Sequence, residues 1–208
     1  MDSAKVGLRE FWFHYVLIYL YVMVLYLLTN HYMFKGPHFL TMTPLDQKVP
    51  LMPWTVWIYA SVYVLPLIAA SFVTKREDVM LMMSCFILIG TLCAIIFVFY
   101  PTVYPRPTVL LESGPSAWLL KSIWSVDSPA NSWPSQHVAL AFMSAFFVLK
   151  YNRKWGSLVL FAAILISIST LTTKQHYIWD ILCGYLLARI IFVVAAKVPL
   201  SYFKKYLI

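Results

Sequence analysis

Long apolar runs separated by shorter polar stretches make up most of the chain. Six of these runs have close to the roughly 20 residues that an α-helix needs to cross a bilayer. They predict spans at about residues 11–28, 54–73, 79–100, 136–151, 155–171 and 176–198. The pattern predicts an all-α polytopic membrane protein, a six-transmembrane-helix bundle, with residues 1–208 forming one membrane-embedded domain.

The polar stretches indicate where the chain leaves the membrane. Residues 29–53 are rich in proline and are not expected to cross the bilayer, because a non-helical backbone would leave polar groups unpaired there. Within this stretch Asp46 is interpreted as a loop or capping residue. Pro66 predicts a kink in the second span. The aromatic residues at the start of that span are typical of an interfacial belt, and they are Trp54, Trp57, Tyr59 and Tyr63.

Composition supports the membrane interpretation. Hydrophobic residues make up 62% of the chain and charged residues only 12%, against about 25% charged residues in soluble domains. The net charge of +8 is explained by basic loops beside the spans, so no nucleic-acid partner is expected. Cys85, Cys93 and Cys183 lie in apolar runs without metal-site spacing and are interpreted as small core residues. The first run has no small-residue cleavage site and is expected to stay as a span.

The basic residues also predict an orientation. Ten of the sixteen Lys and Arg residues lie at the termini or in the second and fourth loops, and five lie in the first, third and fifth loops. The side richer in basic residues is normally cytoplasmic. We therefore expect cytoplasmic termini in an inner or plasma-type membrane, with the three odd-numbered loops facing periplasm, lumen or exterior. Lys35, Lys48 and Lys121 in these loops are interpreted as interfacial charges.

Three polar motifs border the spans on this predicted outer side: YPRP at 104–107, WPSQH at 133–137 and TTKQHYIWD at 172–180. His176 and Asp180 are four residues apart, which places them on one face of a helix. Asp180 would accept a hydrogen bond from one imidazole nitrogen and direct the other outward as a nucleophile or base.

The other two motifs suit a phosphate. Asn131 or Ser132 is expected to cap the fourth span, with Pro134 in its first turn. Free backbone donors near Ser135 and Gln136 would then form an anion site at the helix N-terminus.

Three further side chains complete the predicted phosphate site. His137 is placed to protonate a leaving oxygen. Arg106 offers a rigid fork of donors for phosphate oxygens, and Lys174 adds a positive charge beside His176.

At these residues the sequence resembles the type-2 phosphatidic acid phosphatase superfamily, integral-membrane branch. The family pattern is Lys, six residues, Arg-Pro; then Pro-Ser-Gly-His; then Ser-Arg, five residues, His, three residues, Asp. The matching positions are Arg106, Pro107, Pro134, Ser135, His137, Ser169, His176 and Asp180. The resemblance implies a six-helix bundle that uses no metal or other cofactor and forms a phosphohistidine. It implies His176 as nucleophile, Asp180 as its orienter and His137 as the acid, with Arg106 and Ser135 on the phosphoryl oxygens.

The chain departs from the pattern at three positions. Phe99 stands where the family has its Lys, Gln136 replaces the Gly, and Thr170 replaces the Arg. Lys174 is expected to replace one missing cation. The string TKQHYIWD looks more like the branch that contains inositol phosphorylceramide synthases and sphingomyelin synthases, which transfer a phospho-headgroup to a lipid hydroxyl.

The sequence thus predicts a lipid phosphatase acting on a lipid phosphate monoester or diphosphate at the outer face, surrounded by membrane lipids; a homo-oligomer is compatible with the pattern. One alternative is a lipid phosphotransferase that uses the same intermediate. A transporter in which His137, His176 and Asp180 carry protons, a zinc hydrolase using the same three residues, and a structural membrane protein are alternatives of other classes.

Overall fold

A computed structural model describes residues 7–32, 35–107 and 113–199. Within these ranges it contains helices and no β-strands. Five of the described segments are long and apolar enough to cross a membrane: Trp12–His31, Pro53–Phe72, Arg76–Phe99, Arg153–Thr172 and Ile178–Ala195. The chain is therefore an all-α integral membrane protein. The charges that the sequence places at Lys5, Glu112, Lys204 and Lys205 lie outside the described residues.

Four long helices match predicted spans: α1 (Leu8–His31), α5 (Arg76–Phe99), α8 (Arg153–Thr172) and α9 (Ile178–Ala195). The helix α5 begins three residues earlier than the predicted start at Val79, so the charged stretch before it belongs largely to the helix. Glu77 and Asp78 lie in its first turn, where the helix dipole favours negative charge.

The second predicted span is broken rather than simply kinked. A 3₁₀ turn (Pro53–Thr55) leads into α3 (Val56–Ala60), and a second 3₁₀ turn (Ser61–Tyr63) precedes α4 (Leu65–Phe72). Pro66 lies in the first turn of α4, where its missing N–H costs no helical hydrogen bond. Because Pro66 cannot donate to the carbonyl four residues earlier and its ring crowds that carbonyl, the break falls on its N-terminal side.

The helix α7 (Gln136–Tyr151) occupies the centre of the bundle. It packs against α4, α5, α8 and α9, and most of its side chains are buried. Its 16 residues span about 24 Å at 1.5 Å per residue, which is shorter than the other long helices. That α7 is a sixth transmembrane helix stays a prediction.

Two short helices lie in the loops. In α2 (Pro44–Lys48) the side chains of Thr43 and Asp46 form a reciprocal cap at the N-terminus. The other carboxylate oxygen of Asp46 accepts a hydrogen bond from the Ile178 N–H at 2.9 Å. Asp46 is therefore a capping residue, as predicted, and it joins α2 to the start of α9.

The second loop helix, α6 (Pro115–Val126), lies in a region for which the sequence predicts a loop. The end of α1 is attached to the segment after α6 through Asn30, which donates to the Asp127 carboxylate at 3.1 Å. The Asn30 side-chain oxygen in turn accepts from the Ser128 N–H at 2.8 Å. The Ser132 N–H also donates to the Thr102 carbonyl, just after α5, and the Ser135 N–H donates to the Asp180 carbonyl of α9. Together these contacts bring the ends of α1 and α5 and the starts of α7 and α9 to one end of the bundle.

Candidate active site

His176 lies in the short connection between α8 and α9 rather than inside a helix. It precedes Tyr177, the N-cap of α9, and Asp180 is the third residue of that helix. The predicted contact is confirmed nonetheless: the His176 Nδ1 atom is 3.1 Å from the Asp180 carboxylate. The same carboxylate oxygen accepts from the Tyr177 N–H at 2.8 Å. One oxygen of Asp180 thus caps α9 and also binds the imidazole. Residues four apart therefore make the predicted contact although His176 lies outside the helix.

A second acceptor fixes the tautomer of His176. Its Nδ1 atom lies 2.8 Å from the Ser132 carbonyl oxygen, which can only accept a hydrogen bond. Nδ1 therefore carries the proton, and Nε2 keeps the lone pair that a nucleophile needs. Burial lowers the pKa of His176 to about 4, because the charged imidazolium is poorly solvated there. The ring is neutral near pH 7.

The start of α7 is held against α9. Ser135, and not Asn131 or Ser132, is the N-cap of α7, and its hydroxyl oxygen accepts from the Val138 N–H at 3.3 Å. Asn131 instead donates to the Tyr26 carbonyl on α1. The Ser135 N–H donates to the Asp180 carbonyl at 3.0 Å, so it is not one of the free donors that were predicted.

The close approach of these two helices depends on Gly184. A Cβ atom at Gly184 would lie 2.5 Å from the Ser135 carbonyl oxygen, which is too close for any side chain. Gly184 therefore allows α9 to bring Asp180 to the beginning of α7. The backbone N–H groups of Gln136 and His137 remain at the helix N-terminus, where an anion is favoured.

His137 is the second residue of α7 and faces His176. The ring centroids of the two histidines are 6.0 Å apart. The Tyr59 hydroxyl lies 3.0 Å from His137 Nε2, and the rings of Tyr26 and Tyr63 approach at 6.0 and 6.1 Å. Tyr59 is only 1% exposed, so it orients the imidazole and is not the interfacial belt residue that was predicted.

Arg106 also reaches this end of the bundle. Its guanidinium donates to the backbone carbonyl of Asp127, to the Ser128 carbonyl and to the Gln175 side chain. It also forms an ion pair with the Asp127 carboxylate at 3.4 Å. The guanidinium is thus bound to the residue that precedes His176, and the Asp127 carboxylate competes with phosphate for it.

The remaining predicted cation points elsewhere. The Lys174 ammonium donates to the Val49 carbonyl at 2.5 Å, and no contact with His176 or Arg106 accompanies it. Burial lowers the pKa of Lys174. Its role in phosphate binding stays a prediction that this geometry does not support.

Thr170 and Phe99, which stand where the family has basic residues, are uncharged. Thr170 is fully buried, and its carbonyl accepts from the Gln175 and His176 N–H groups. Phe99 is 63% exposed, with the Lys35 ammonium 5.3 Å from its ring centroid. Lys48 and Lys121 are exposed, as expected of interfacial charges.

A cavity of about 180 Å³ begins at His137. Gln136, Asp127 and Tyr59 line its polar end, and its other walls are mostly apolar. Across residues 7–32, 35–107 and 113–199, no group of three His, Cys, Asp or Glu side chains is arranged to hold a metal ion. The arrangement can present a neutral, oriented imidazole, a second imidazole, a guanidinium and helix N–H donors to one bound group.

Sequence reasoning missed Asp127, Tyr59 and Gln175. Gln175 is adjacent to His176, but its role as a partner of Arg106 has no sequence signal of its own. Asp127 is the one acidic residue between Pro115 and His137, which was a usable signal. Tyr59 resembled an interfacial aromatic residue, and only its burial and its hydrogen bond to His137 distinguish it.

Comparison with protein families matches residues 78–203 to the PAP2 superfamily. These residues cover more than half of the chain and include α7, α9, both histidines, Arg106 and Asp180. Among the curated proteins, no match to the chain is found.

Proposed function

The chain belongs to the PAP2 superfamily, and we propose that it is a lipid phosphatase that hydrolyses a lipid phosphate monoester or diphosphate through a phosphohistidine intermediate. Members of this superfamily are phosphatases or phosphotransferases, so the reaction class follows from membership. The observation that carries the proposal is His176, with Nδ1 bound by the Ser132 carbonyl and Asp180 and Nε2 left as the basic nitrogen.

In the first step His176 Nε2 attacks phosphorus, and the bond from phosphorus to the lipid oxygen breaks. Asp180 and the Ser132 carbonyl stabilise the positive charge that develops on the ring. The negative charge of the bound phosphate favours the protonated form of His137, which gives its proton to the departing lipid oxygen, so the lipid leaves as an alcohol, or as a phosphate ester from a diphosphate. Arg106 and the N–H groups at the start of α7 stabilise the negative charge on the phosphoryl oxygens.

In the second step His137 removes a proton from a water molecule, which attacks the phosphohistidine. The nitrogen–phosphorus bond breaks, inorganic phosphate leaves and His176 is regenerated. Tyr59 holds the His137 ring in position for both proton transfers. Since one imidazole first gives and later takes a proton, the cycle needs no outside acid or base.

We further propose that the site opens on the non-cytoplasmic side of an inner or plasma-type membrane. The candidate residues gather at the end of the bundle where α5 finishes and α7 and α9 begin. The basic residues Lys75, Lys150, Arg153 and Lys154 lie at the opposite end of α5, α7 and α8, and basic loops favour the cytoplasm. Labelling of single introduced cysteines near Lys121 and near Lys154 with an impermeant reagent tests this orientation.

The experiment that tests the function measures phosphate release from dioleoyl phosphatidic acid in detergent micelles. His176→Ala is expected to abolish turnover, and Arg106→Ala is expected to weaken substrate binding and inhibition by inorganic phosphate. A Lys121→Ala variant, which alters an exposed loop charge, serves as the matched control. Undiminished turnover by His176→Ala would refute the assignment, and activity lost to chelators would favour a zinc hydrolase.

A phosphotransferase is the second candidate, and one observation favours it. The cavity beside His137 is largely apolar, so a lipid alcohol has access where water would otherwise attack. The same assay with and without diacylglycerol or ceramide separates the two, since transfer yields a new phospholipid and hydrolysis yields free phosphate. Coupled proton flux in liposomes without a covalent intermediate would instead favour a transporter.

A further inference from the structure

The cavity that begins at His137 continues into the membrane region. A second cavity of about 60 Å³ adjoins it and shares five of its lining residues. Together they form what we call the α1–α4 groove, whose shared walls are Tyr15, Tyr19, Val22, Pro66 and Leu140. The groove ends against Met82, Met83 and Phe86 of α5.

The length of this groove fits one leaflet of a bilayer. On α1 its lining extends from Tyr15 to Leu27, a separation of twelve residues that covers about 18 Å at 1.5 Å per residue. Half of the hydrocarbon core of a bilayer is about 15 Å thick. A hydrocarbon chain that begins at His137 would therefore lie along the groove for the depth of a whole leaflet.

The groove is polar at one end and apolar beyond it. Asp127, Gln136 and His137 lie at the polar end, and the deep end has only apolar walls apart from the tyrosine side chains. Tyr19 and Tyr63 line the groove and are 41% and 46% exposed. Because these side chains reach the outer surface of the bundle, the groove opens sideways between α1 and α4, toward lipid.

We propose that the α1–α4 groove binds the hydrocarbon chain of the leaving group, and that the lipid substrate enters from the membrane between α1 and α4. This inference rests on the proposed function, because it uses the roles of the two histidines. His137 is the proton donor to the leaving oxygen, and the groove begins at His137. The phosphoryl group is then directed toward His176 and Arg106, while the lipid part stays in the groove and returns to the bilayer.

Two adjacent residues of α1 provide a matched test. Met23 lines the groove, and its neighbour Val24 is 51% exposed on the outer face. Tryptophan at position 23 fills the groove, whereas tryptophan at position 24 adds the same bulk on the lipid-facing side. The measurement is kcat/KM for dioleoyl phosphatidic acid in phosphatidylcholine vesicles, divided by kcat/KM for the water-soluble ester para-nitrophenyl phosphate.

Met23→Trp is expected to lower this ratio about tenfold, mainly through KM, which corresponds to losing the burial of about two methylene groups. Val24→Trp is expected to keep the wild-type ratio. Equal ratios in the two variants would overturn the groove proposal even if both remain active. A wild-type protein that hydrolyses neither substrate would contradict the proposed function instead, so the two failures are distinguishable.

A second measurement does not depend on how the variants fold. A phosphatidic acid with a diazirine in its acyl chain is irradiated with the unaltered protein, and the labelled residues are identified by mass spectrometry. Labels on Tyr19, Met23 and Leu27 are expected. Labels confined to the outward-facing Leu20, Val24 and Leu28 would overturn the proposal.

Discussion

Gly184→Ala is the substitution whose effect can be worked out most directly from the geometry. The new methyl carbon would lie 2.5 Å from the Ser135 carbonyl oxygen and 3.2 Å from the Val138 Cβ atom. An ordinary contact between carbon and a carbonyl oxygen is about 3.3 Å, so the start of α7 must move away from α9 by about 0.8 Å. Ser135 and His137 would move with it, relative to His176 and Asp180.

A displacement of this size affects chemistry more than stability. Misplacing a reacting group by about 1 Å costs up to about 100-fold in rate, so kcat is expected to fall between about 10-fold and 100-fold. Overpacking destabilises by about 1–3 kcal/mol, and the better helix propensity of alanine returns about 1 kcal/mol. The thermal midpoint should therefore drop only by a few degrees.

Gly156→Ala is the matched control. A Cβ atom there would lie 2.4 Å from the Leu149 Cα atom, where the first turn of α8 packs against the last turn of α7, at the end of the bundle remote from the histidines. The clash is at least as severe, so stability is expected to fall while kcat per folded molecule stays near the wild-type value. The assay is kcat at saturating dioleoyl phosphatidic acid, together with thermal unfolding in the same detergent. Equal kcat values for Gly184→Ala and the wild type would refute the reasoning.

Three further predictions concern charge and protonation. Asp127→Asn removes the carboxylate beside Arg106 but leaves the backbone acceptors that hold the guanidinium. Inorganic phosphate is therefore expected to inhibit about fivefold more strongly, a gain in binding free energy on the order of 1 kcal/mol. Unchanged inhibition would contradict this. Tyr59→Phe removes the hydrogen bond to His137 and is expected to lower kcat about 10-fold with little change in KM, whereas a change confined to KM would argue against an orienting role. An NMR titration of labelled histidines, assigned with His176→Gln, is expected to give His176 a midpoint near 4 instead of the ordinary 6.5. Because the unfolded state takes up this proton more readily, stability should decline as pH falls from about 6.5 toward 4, and a midpoint near 6.5 would contradict the burial argument.

The helices follow from the sequence because burial in lipid imposes a simple requirement. Runs of about 20 apolar residues must form helices to satisfy their backbone groups, and α1, α5, α8 and α9 lie where those runs lie. The breaks inside the second span were only partly predictable. Pro66 signalled an interruption, but the turn at Ser61–Tyr63 depends on how α3 and α4 pack against α7 and α8.

The helix α6 shows why the loops were harder to predict. Its twelve residues are too short and too mixed in polarity to resemble a span, although Gly114 and Pro115 mark its start. Its position is set by contacts between distant residues, such as Asn30 with Asp127, which are 97 residues apart. Pairings of that separation leave no periodic signal in the sequence.

The candidate site, too, could be predicted only in part from the sequence. His176 and Asp180 are four residues apart, so their contact was predictable even though the local backbone is a cap rather than a helix. The Ser132 carbonyl, the Tyr59 hydroxyl and the Asp127 carboxylate come from other segments. Lys174 is the opposite case: it is close to His176 in sequence, but the chain adopts a left-handed backbone there, with φ of 55°, and the side chain turns to Val49.

The covalent intermediate tests the central claim most directly. The purified protein is mixed with phosphatidic acid labelled with ³²P, quenched in alkali within one turnover, digested and analysed for phosphorylated peptides. The account predicts acid-labile label on His176, absent from His176→Ala and slow to disappear in His137→Ala. Label on another residue, or turnover without any covalent phosphate, would contradict it.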